Sequence, residues 1–430
     1  MVYGPEASLP LGEKGLVDAR RVVITGIGVL APNGIGVEDF WSALLEGRSG
    51  IGPISLFDAS EHFVGIAGEV DGFDPLIHIP FPVKPKRMGR HTQFALAASC
   101  MAIKDARVGE SADLQSGSLL PIYVGVSTSA IEVIEQGKEQ MSRRGPNKVS
   151  PHIVGACQPH AVATAISEHM GLNTRAMTVS TACAAGMDAL AEAASVVREG
   201  RSDLVLAGGV DAPINPLTVA CFGRTRMVPG GVVNAATRSC PFDRRREGGV
   251  MAEGGAFFVV ESLVHAMARG AEPRLELLGW GSRLDRSAEA VGSGFEDAMR
   301  EALDAAGTAP RDVHYICAHG PSDPELDQRE TEAIKAVYGP WAYRIPVSSI
   351  KGVTGNPLAA AGPLELAACA GVFRDDLVPP TANYREPDPA CDLDYVPLRP
   401  RRYRADCAML NVHGMGGINS SLVVSRVTRP

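Results

Sequence analysis

Cys183 ends the stretch MTVSTAC (177–183), where an apolar run gives way to small residues and then to an Ala-rich helical pattern. A cysteine that opens a helix meets unpaired N–H groups and the positive end of the macrodipole, which favour a thiolate. The same N–H groups can hold an oxyanion. Ala182, Ala184, Ala185 and Gly186 leave room for a substrate beside the sulfur, and equally suit a tightly packed helix start; both readings stand at this point. His319 follows the apolar run Tyr315–Ala318, with Gly320 and Pro321 behind it. Strand ends in α/β proteins are where functional groups gather. Asn356, in VTGNPLAAAG, lies at a similar junction, where its plain role is to cap the following helix. The Gly-rich HGMGGIN (413–419) stands just before the last apolar run, and suits either close approach to a ligand or a tight turn.

The elements that must position these residues alternate. Apolar, β-branched runs at 21–27, 122–126, 177–180, 204–207, 256–260, 275–278, 315–318, 345–348 and 421–424 read as buried strands. Helical patterns at 94–106, 161–170, 184–198, 294–306, 327–337 and 363–374 lie between many of them. Such alternation predicts an α/β fold with largely buried sheets. Gly26-x-Gly28-x-x-Ala31 has the look of a dinucleotide turn, but Pro32-Asn33-Gly34 continues a loop where that motif needs a helix, so a structural turn is expected. An internal echo is more telling. RVVITGIGV (21–29) resembles LELLGWGS (275–282), and TVSTACAAGMDALAEAA (178–194) resembles VSSIKGVTGNPLAAAGPLELAACAG (347–371). Residues 1–20 read as a loose tail, and two copies of one unit predict an N-terminal half over 21–270 and a C-terminal half over 271–430.

Composition narrows the function. The 430 residues are 45% hydrophobic and 21% charged, which suits a folded globular chain. The net charge of −8, from 41 basic against 49 acidic residues, argues against a nucleic-acid binder. No apolar run approaches the roughly 18 residues of a membrane span, and no secretory leader is visible. The nine cysteines show no CxxC and no zinc-like spacing with His, so reduced thiols and a cytoplasmic setting are expected. Local basic clusters (Lys84, Lys86, Arg87 and Arg90; Arg143, Arg144 and Lys148; Arg224 and Arg226; Arg244 to Arg246) read as solvated surface by default, or as docking sites for a small acidic partner.

Taken in order, RRVVITGIGVLAPNG, RMGRHTQFALAA, GPNKVSPHIV, STACAAGMDAL, LAGGVDAPI, CPFDRRREGGVMAEGGAFFVVE, AHGPSDPELD, VSSIKGVTGN, AAAGPLELA, VPPTANY and HGMGGINSSLVV span residues 20–427. In that order they resemble the β-ketoacyl-(acyl carrier protein) synthases of the elongating type, in the thiolase superfamily. The resemblance implies a duplicated five-layer αβαβα thiolase-like fold and a dimer. It implies that Cys183 takes an acyl chain as a thioester and that His319 stabilises an enolate left by decarboxylation of a malonyl thioester. It places the oxyanion hole at the amides of Cys183 and Met415, and gives Lys351, Asp327 and Glu330 supporting roles. It implies no metal or redox cofactor, since phosphopantetheine arrives on an acyl carrier protein.

The departures from the family pattern cluster. Asn356 stands where the family has a second histidine; an amide donates a hydrogen bond but cannot carry a proton. A Cys-His-Asn set is found in the related initiating and chalcone-type synthases. The family's Thr-Ser-Thr, which contacts pantetheine, is Pro321-Ser322-Asp323 here, and the loop after Leu284-Asp285 is short. The gating Phe-Gly-Phe-Gly is His413-Gly414-Met415-Gly416, with Met the more adaptable gate; His413 either compensates for the missing histidine or fills the Phe space, and the second is expected. PELDQRETEAIKAVYGP and GGINSSL also resemble chain-length-factor subunits of type II polyketide synthases, which lack the nucleophile this chain keeps. Three functions are therefore carried forward: a condensing enzyme, a non-decarboxylating acyltransferase making an ester or amide, and a partner subunit of a ketosynthase heterodimer. The condensing enzyme is the leading expectation, as a homodimer or as one half of a heterodimer.

Overall fold

The computed structural model describes residues 20–108, 119–225 and 227–428. The expected tail, apart from Arg20, and Arg226 of one basic cluster lie outside the described residues. Ten strands form one continuous path. They are β1 (Val22–Ala31), β2 (Ile122–Gly125), β3 (Ala176–Val179), β4 (Leu204–Asp211), β5 (Gly254–Ser262), β6 (Leu275–Leu284), β7 (Tyr315–Cys317), β8 (Val347–Ser348), β9 (Cys407–Gly414) and β10 (Ile418–Ser425). The spatial order is β8-β7-β9-β10-β6-β1-β5-β4-β2-β3. Read outward from the centre, one half runs 1-5-4-2-3 and the other 6-10-9-7-8, the same order displaced by five.

The pairing senses repeat as well. β1–β5 and β5–β4 are antiparallel while β4–β2 and β2–β3 are parallel. β6–β10 and β10–β9 are antiparallel while β9–β7 and β7–β8 are parallel. The halves join where β1 meets β6 antiparallel, over Val22↔Leu277, Val23↔Glu276 and Ile24↔Leu275.

Six helices complete the layers: α1 (Arg90–Asp105), α2 (Ala161–Met170), α3 (Ala185–Arg198), α4 (Phe295–Ala306), α5 (Pro324–Tyr338) and α6 (Ala361–Asp375). α1 and α2 cover the outer face of the first half with Phe94, Ala98, Ile166 and their neighbours. α4 and α5 cover the second with Phe295, Met299 and Ile334. α3 and α6 form the inner layer and pack on strands of both halves. Residues 361–373 of α6 are buried without a break, because this helix has sheet on both sides and no solvent face. This is the duplicated five-layer thiolase-like arrangement the sequence predicted.

Gly26 and Gly28 lie inside β1, not in a turn after it, which corrects the sequence reading. A Cβ on Gly28 would stand 2.0 Å from the Ala98 carbonyl oxygen of α1. In the second half a Cβ on Gly281 of β6 would stand 2.4 Å from the Ala298 carbonyl oxygen of α4. The Gly-x-Gly pair is a seat for the outer helix in each half. HGMGGIN is likewise not a loop ahead of the final strand: His413 and Gly414 end β9, 415–417 make the hairpin turn, and Ile418 and Asn419 open β10.

Candidate functional site

The sequence STACAA folds into a tight 3-10 turn, Ala182–Ala184, that runs directly into α3. Ala182 adopts φ 51°, a left-handed conformation that costs a non-glycine residue about 1–3 kcal/mol. The strained elbow lifts Cys183 off the strand end and sets its sulfur at the head of the buried helix. The Cys183 and Met415 backbone N–H groups face the sulfur and lower its pKa. Burial and the charge of Asp211 work the other way and prevail, so the thiol is pushed up to about 11. The resting group is a thiol with two donors in place. Gly414 allows this approach: a Cβ there would lie 3.1 Å from the Cys183 nitrogen and 2.9 Å from the Thr181 carbonyl oxygen.

Cys183 opens onto a mostly apolar cavity of about 250 Å³ that it shares with His319, Asn356, His413 and Met415. Phe222, Val228, Met251, Val291, Leu326 and Leu358 supply apolar wall, and Pro321, Asp323 and Glu325 line it as well. These residues come from both halves of the fold, so the cavity exists only when the halves are docked.

His319 is 1% exposed, and its Nδ1 has no hydrogen-bond partner among the described residues. Burial first, then the charges of Lys351 and His413, hold its pKa well below the ordinary imidazole value, so the ring is neutral near pH 7. Its backbone is fixed from three sides. Glu330 accepts from the N–H of His319 (2.8 Å) and of Gly320 (2.8 Å). Lys351 Nζ donates to the His319 carbonyl oxygen (2.6 Å) and pairs with Glu365 (2.5 Å). Asn411 Nδ2 donates to Glu330 (3.1 Å).

Lys351, Glu330 and Asp327 therefore do not line the cavity; they hold the segment that does. Asp327 accepts from the N–H groups of Phe242 (2.7 Å), Ser322 (3.2 Å) and Asp323 (3.2 Å). Burial pushes its carboxyl up to about 8, against those bonds and the nearby Arg246. Ser322 is fully buried and its hydroxyl accepts from the Cys240 N–H (3.0 Å), so the hydroxyl is spent on structure.

Asn356 is held by its backbone, N–H to the Val250 carbonyl (2.7 Å) and C=O from the Ala252 N–H (3.0 Å). Asn356 lines the cavity, and its Oδ1 is buried without a hydrogen-bond partner among the described residues. It does not cap α6, whose first turn begins at Ala361. His413 is 8% exposed; its ring lies 6.2 Å from His319 and 5.6 Å from Phe295 between centroids.

Sequence reasoning assigned no role to Glu365, Asn411, Asn419 or Asp285. Glu365 had a signal, as the one acid in the buried Ala-rich run of α6. Of the basic clusters, Lys84, Lys86, Arg87, Arg143, Arg144 and Lys148 are exposed as expected. Arg90 and Arg246 are not simple surface: Arg90 pairs with the fully buried Glu253 (2.7 Å) and Arg246, 4% exposed, with Asp388 (2.6 Å).

The Beta-ketoacyl synthase N-terminal domain profile matches residues 19–266 and the Beta-ketoacyl synthase C-terminal domain profile matches 277–385. The chain belongs to the β-ketoacyl synthase family. This family member is 38% identical over 417 residues to the tetracenomycin polyketide synthase ketoacyl synthase alpha subunit of Streptomyces glaucescens, covering 95% of this chain and 97% of that one. It is 36% identical to the 3-oxoacyl-[acyl-carrier-protein] synthase 2 of Coxiella burnetii, covering 96% and 100%. Among solved structures, it resembles a ketosynthase in a type II PKS complex of acyl-carrier protein with hexaketide-bound ketosynthase (TM-score 0.86, 33% identity, 95% of this chain and 100% of that one). It also resembles the ishigamide ketosynthase/chain length factor (TM-score 0.88, 32% identity, 95% and 100%). No described helix of this β-ketoacyl synthase family member is long and apolar enough to cross a membrane.

Proposed function

We propose that the protein is a condensing acyltransferase of polyketide or fatty-acid assembly. It loads an acyl group on Cys183 and extends it with a carbon nucleophile made by decarboxylating a malonyl thioester. The observation that carries this is the shared cavity: a thiol with two N–H donors, a neutral imidazole and an amide meet in one apolar space. The donors on the sulfur are placed to receive the oxyanion of a tetrahedral intermediate, where each such contact is worth about 2.7–4 kcal/mol. His319 and Asn356 would hold the enolate oxygen as CO2 leaves; both can donate while neutral. Lys351, Glu330 and Glu365 keep His319 in place by gripping its backbone and neighbours.

The acyl and malonyl groups would arrive on the pantetheine arm of an acyl carrier protein, as the relatives' names suggest. A related ketosynthase-like subunit, or a second copy, is the expected dimer partner. The division into functional halves at Gly270-Ala271 belongs to the same proposal, with Cys183 supplied by the first half and His319 and Asn356 by the second. Asn356 favours one competing reading, acyl transfer to oxygen or nitrogen without loss of CO2.

Intact-protein mass spectrometry with acyl- and malonyl-carrier thioesters tests both. Condensation predicts a Cys183-dependent adduct, CO2 release and a product longer by two carbons. An adduct followed by ester or amide without CO2 selects the competing reading. An adduct that survives Cys183→Ala refutes both.

A further inference from the structure

The family position of the second imidazole holds Asn356, yet the cavity still contains two imidazoles. The second comes from another element, the end of β9. His413 Nδ1 lies 3.0 Å from Asn419 Oδ1. The orientation of that amide is fixed, because Asn419 Nδ2 has three acceptors: Asp285 Oδ1 (2.8 Å), the Gly417 carbonyl (3.1 Å) and the Arg283 carbonyl (3.3 Å). Asn419 Oδ1 can only accept, so His413 Nδ1 must carry the proton. In the neutral ring that leaves Nε2 as a lone pair, on a side chain that lines the cavity beside Cys183. Asp285 is itself locked by the Gly292 and Gly294 N–H groups, both at 2.9 Å. The outer end of the chain His413–Asn419–Asp285 is therefore a carboxylate, which steadies an imidazolium through the amide. His319 has the opposite character: no described residue fixes its tautomer, and Lys351 grips its carbonyl.

We propose that His413 is the general base and acid of acyl loading, a catalytic role that Asn356 cannot fill. This rests on the reading of Cys183 as the loaded nucleophile. As the thiol attacks, its S–H bond breaks and the proton passes to His413 Nε2, directly or through one water. The sulfur pair forms the new S–C bond, and the carbonyl oxygen becomes an oxyanion facing the Cys183 and Met415 N–H groups. On collapse the bond to the carrier sulfur breaks, and that sulfur takes the proton from His413. One thioester is exchanged for another, and the ring returns neutral. His319 is left free to donate to the enolate in the later step. The titratable groups around His413 are His319, Cys183, Asp323 and Glu325, which line the same cavity, and Asp285 behind Asn419.

The experiment follows the rate of Cys183 acylation by acetyl- and hexanoyl-pantetheine thioesters from pH 5.5 to 9, using intact mass. In the wild type the rate is expected to rise in a single step across this range. His413→Phe, which restores the family's side-chain type, is expected to load about 10²-fold more slowly and lose that step. His413→Ala should recover with added imidazole, while Cys183→Ala stays unlabelled. Wild-type rates and profile in both His413 variants would overturn the proposal and leave His413 as gate filler. Loading that depends on His413 but leads to no CO2 release leaves this inference standing and removes the condensing reading. No acylation of the wild type by either probe overturns both. Ring 15N spectra of the unmodified protein provide a check independent of variant folding. They should show His413 protonated at Nδ1 and bare at Nε2, and the reverse tautomer overturns the proposal.

Discussion

The molecule contains the same elbow twice. Ala182–Ala184 leads into α3 in the first half, and Leu358–Ala360 leads into α6 in the second. Ala182 and Leu358 share φ 51°, so the strain is duplicated along with the helices. What differs is the residue that faces each elbow from the neighbouring strand. β4 and β9 are both eight residues long and occupy equivalent places; the first ends in Asp211, the second in Gly414. Gly414 leaves space at Cys183. Asp211 fills the corresponding space, accepting from the Ala359 N–H (2.9 Å), the Thr128 N–H (2.9 Å) and hydroxyl (2.9 Å), and the Ser127 N–H (3.1 Å). One elbow points its donors at a sulfur and an open cavity. The other has its donor consumed by a carboxylate. The duplicated fold thus opens one elbow to a cavity and closes the other, through Cys183 against Ala359 and Gly414 against Asp211.

Moving the cysteine should break the comparison most visibly. Cys183→Ala combined with Ala359→Cys is expected to give no acyl adduct at all, because residue 359 is fully buried and its N–H is already bonded. Any labelling of position 359 by peptide mapping would show that the second elbow is open after all. Removing the plug comes next. Asp211→Ala strands buried backbone donors, each costing about 1–3 kcal/mol, and should lower stability by more than about 3 kcal/mol in urea unfolding. Gly28→Ala and Gly281→Ala force the same kind of clash in the two halves, and each should cost about 1–3 kcal/mol as overpacking does. A loss confined to one of the two would show that the outer helices are not seated alike.

The effect smallest per step is a pH slope. Burial pushes Asp211 up to about 6 and Asp327 up to about 8, above the ordinary carboxylate value. The folded chain then holds protons that the unfolded chain has released, so stability falls as pH rises from about 4 to about 8 and levels off above that. Each group contributes at most about 1.4 kcal/mol per pH unit within its window. Between pH 6 and 8 only the Asp327 share remains of these two, so Asp327→Asn should flatten that part of the curve. Parallel curves for variant and wild type in thermal melts would remove Asp327 from the account.

The strand–helix alternation, the echo and the helix 161–170 were legible because buried runs and helical periods survive in one dimension. β9 was not. CAMLNVHG buries Asn411 and His413 among its apolar residues, so it lacks the pure apolar signature of a buried strand. The helix Ile131–Arg144 was missed for a related reason: it is largely solvent-facing, and Gly137 is its one buried residue. The residues of the cavity were legible by type and place, but their partners were not. Nothing in the spacing of Glu330, Lys351 and Glu365 says that they meet around the backbone of His319. Nor does a sequence show that Asn419 has only an acceptor to offer His413.

The order of the strands has a bearing on how the chain comes off the ribosome. All strands of the first half precede residue 263, so its sheet can pair before the second half exists. Yet the inner face of that sheet is covered partly by α6, residues 361–375, which packs on β1, β4 and β5. During synthesis the nascent first half therefore carries an uncovered apolar face until α6 emerges. That interval is where a holding chaperone, or a slowed stretch of translation, has the most to protect.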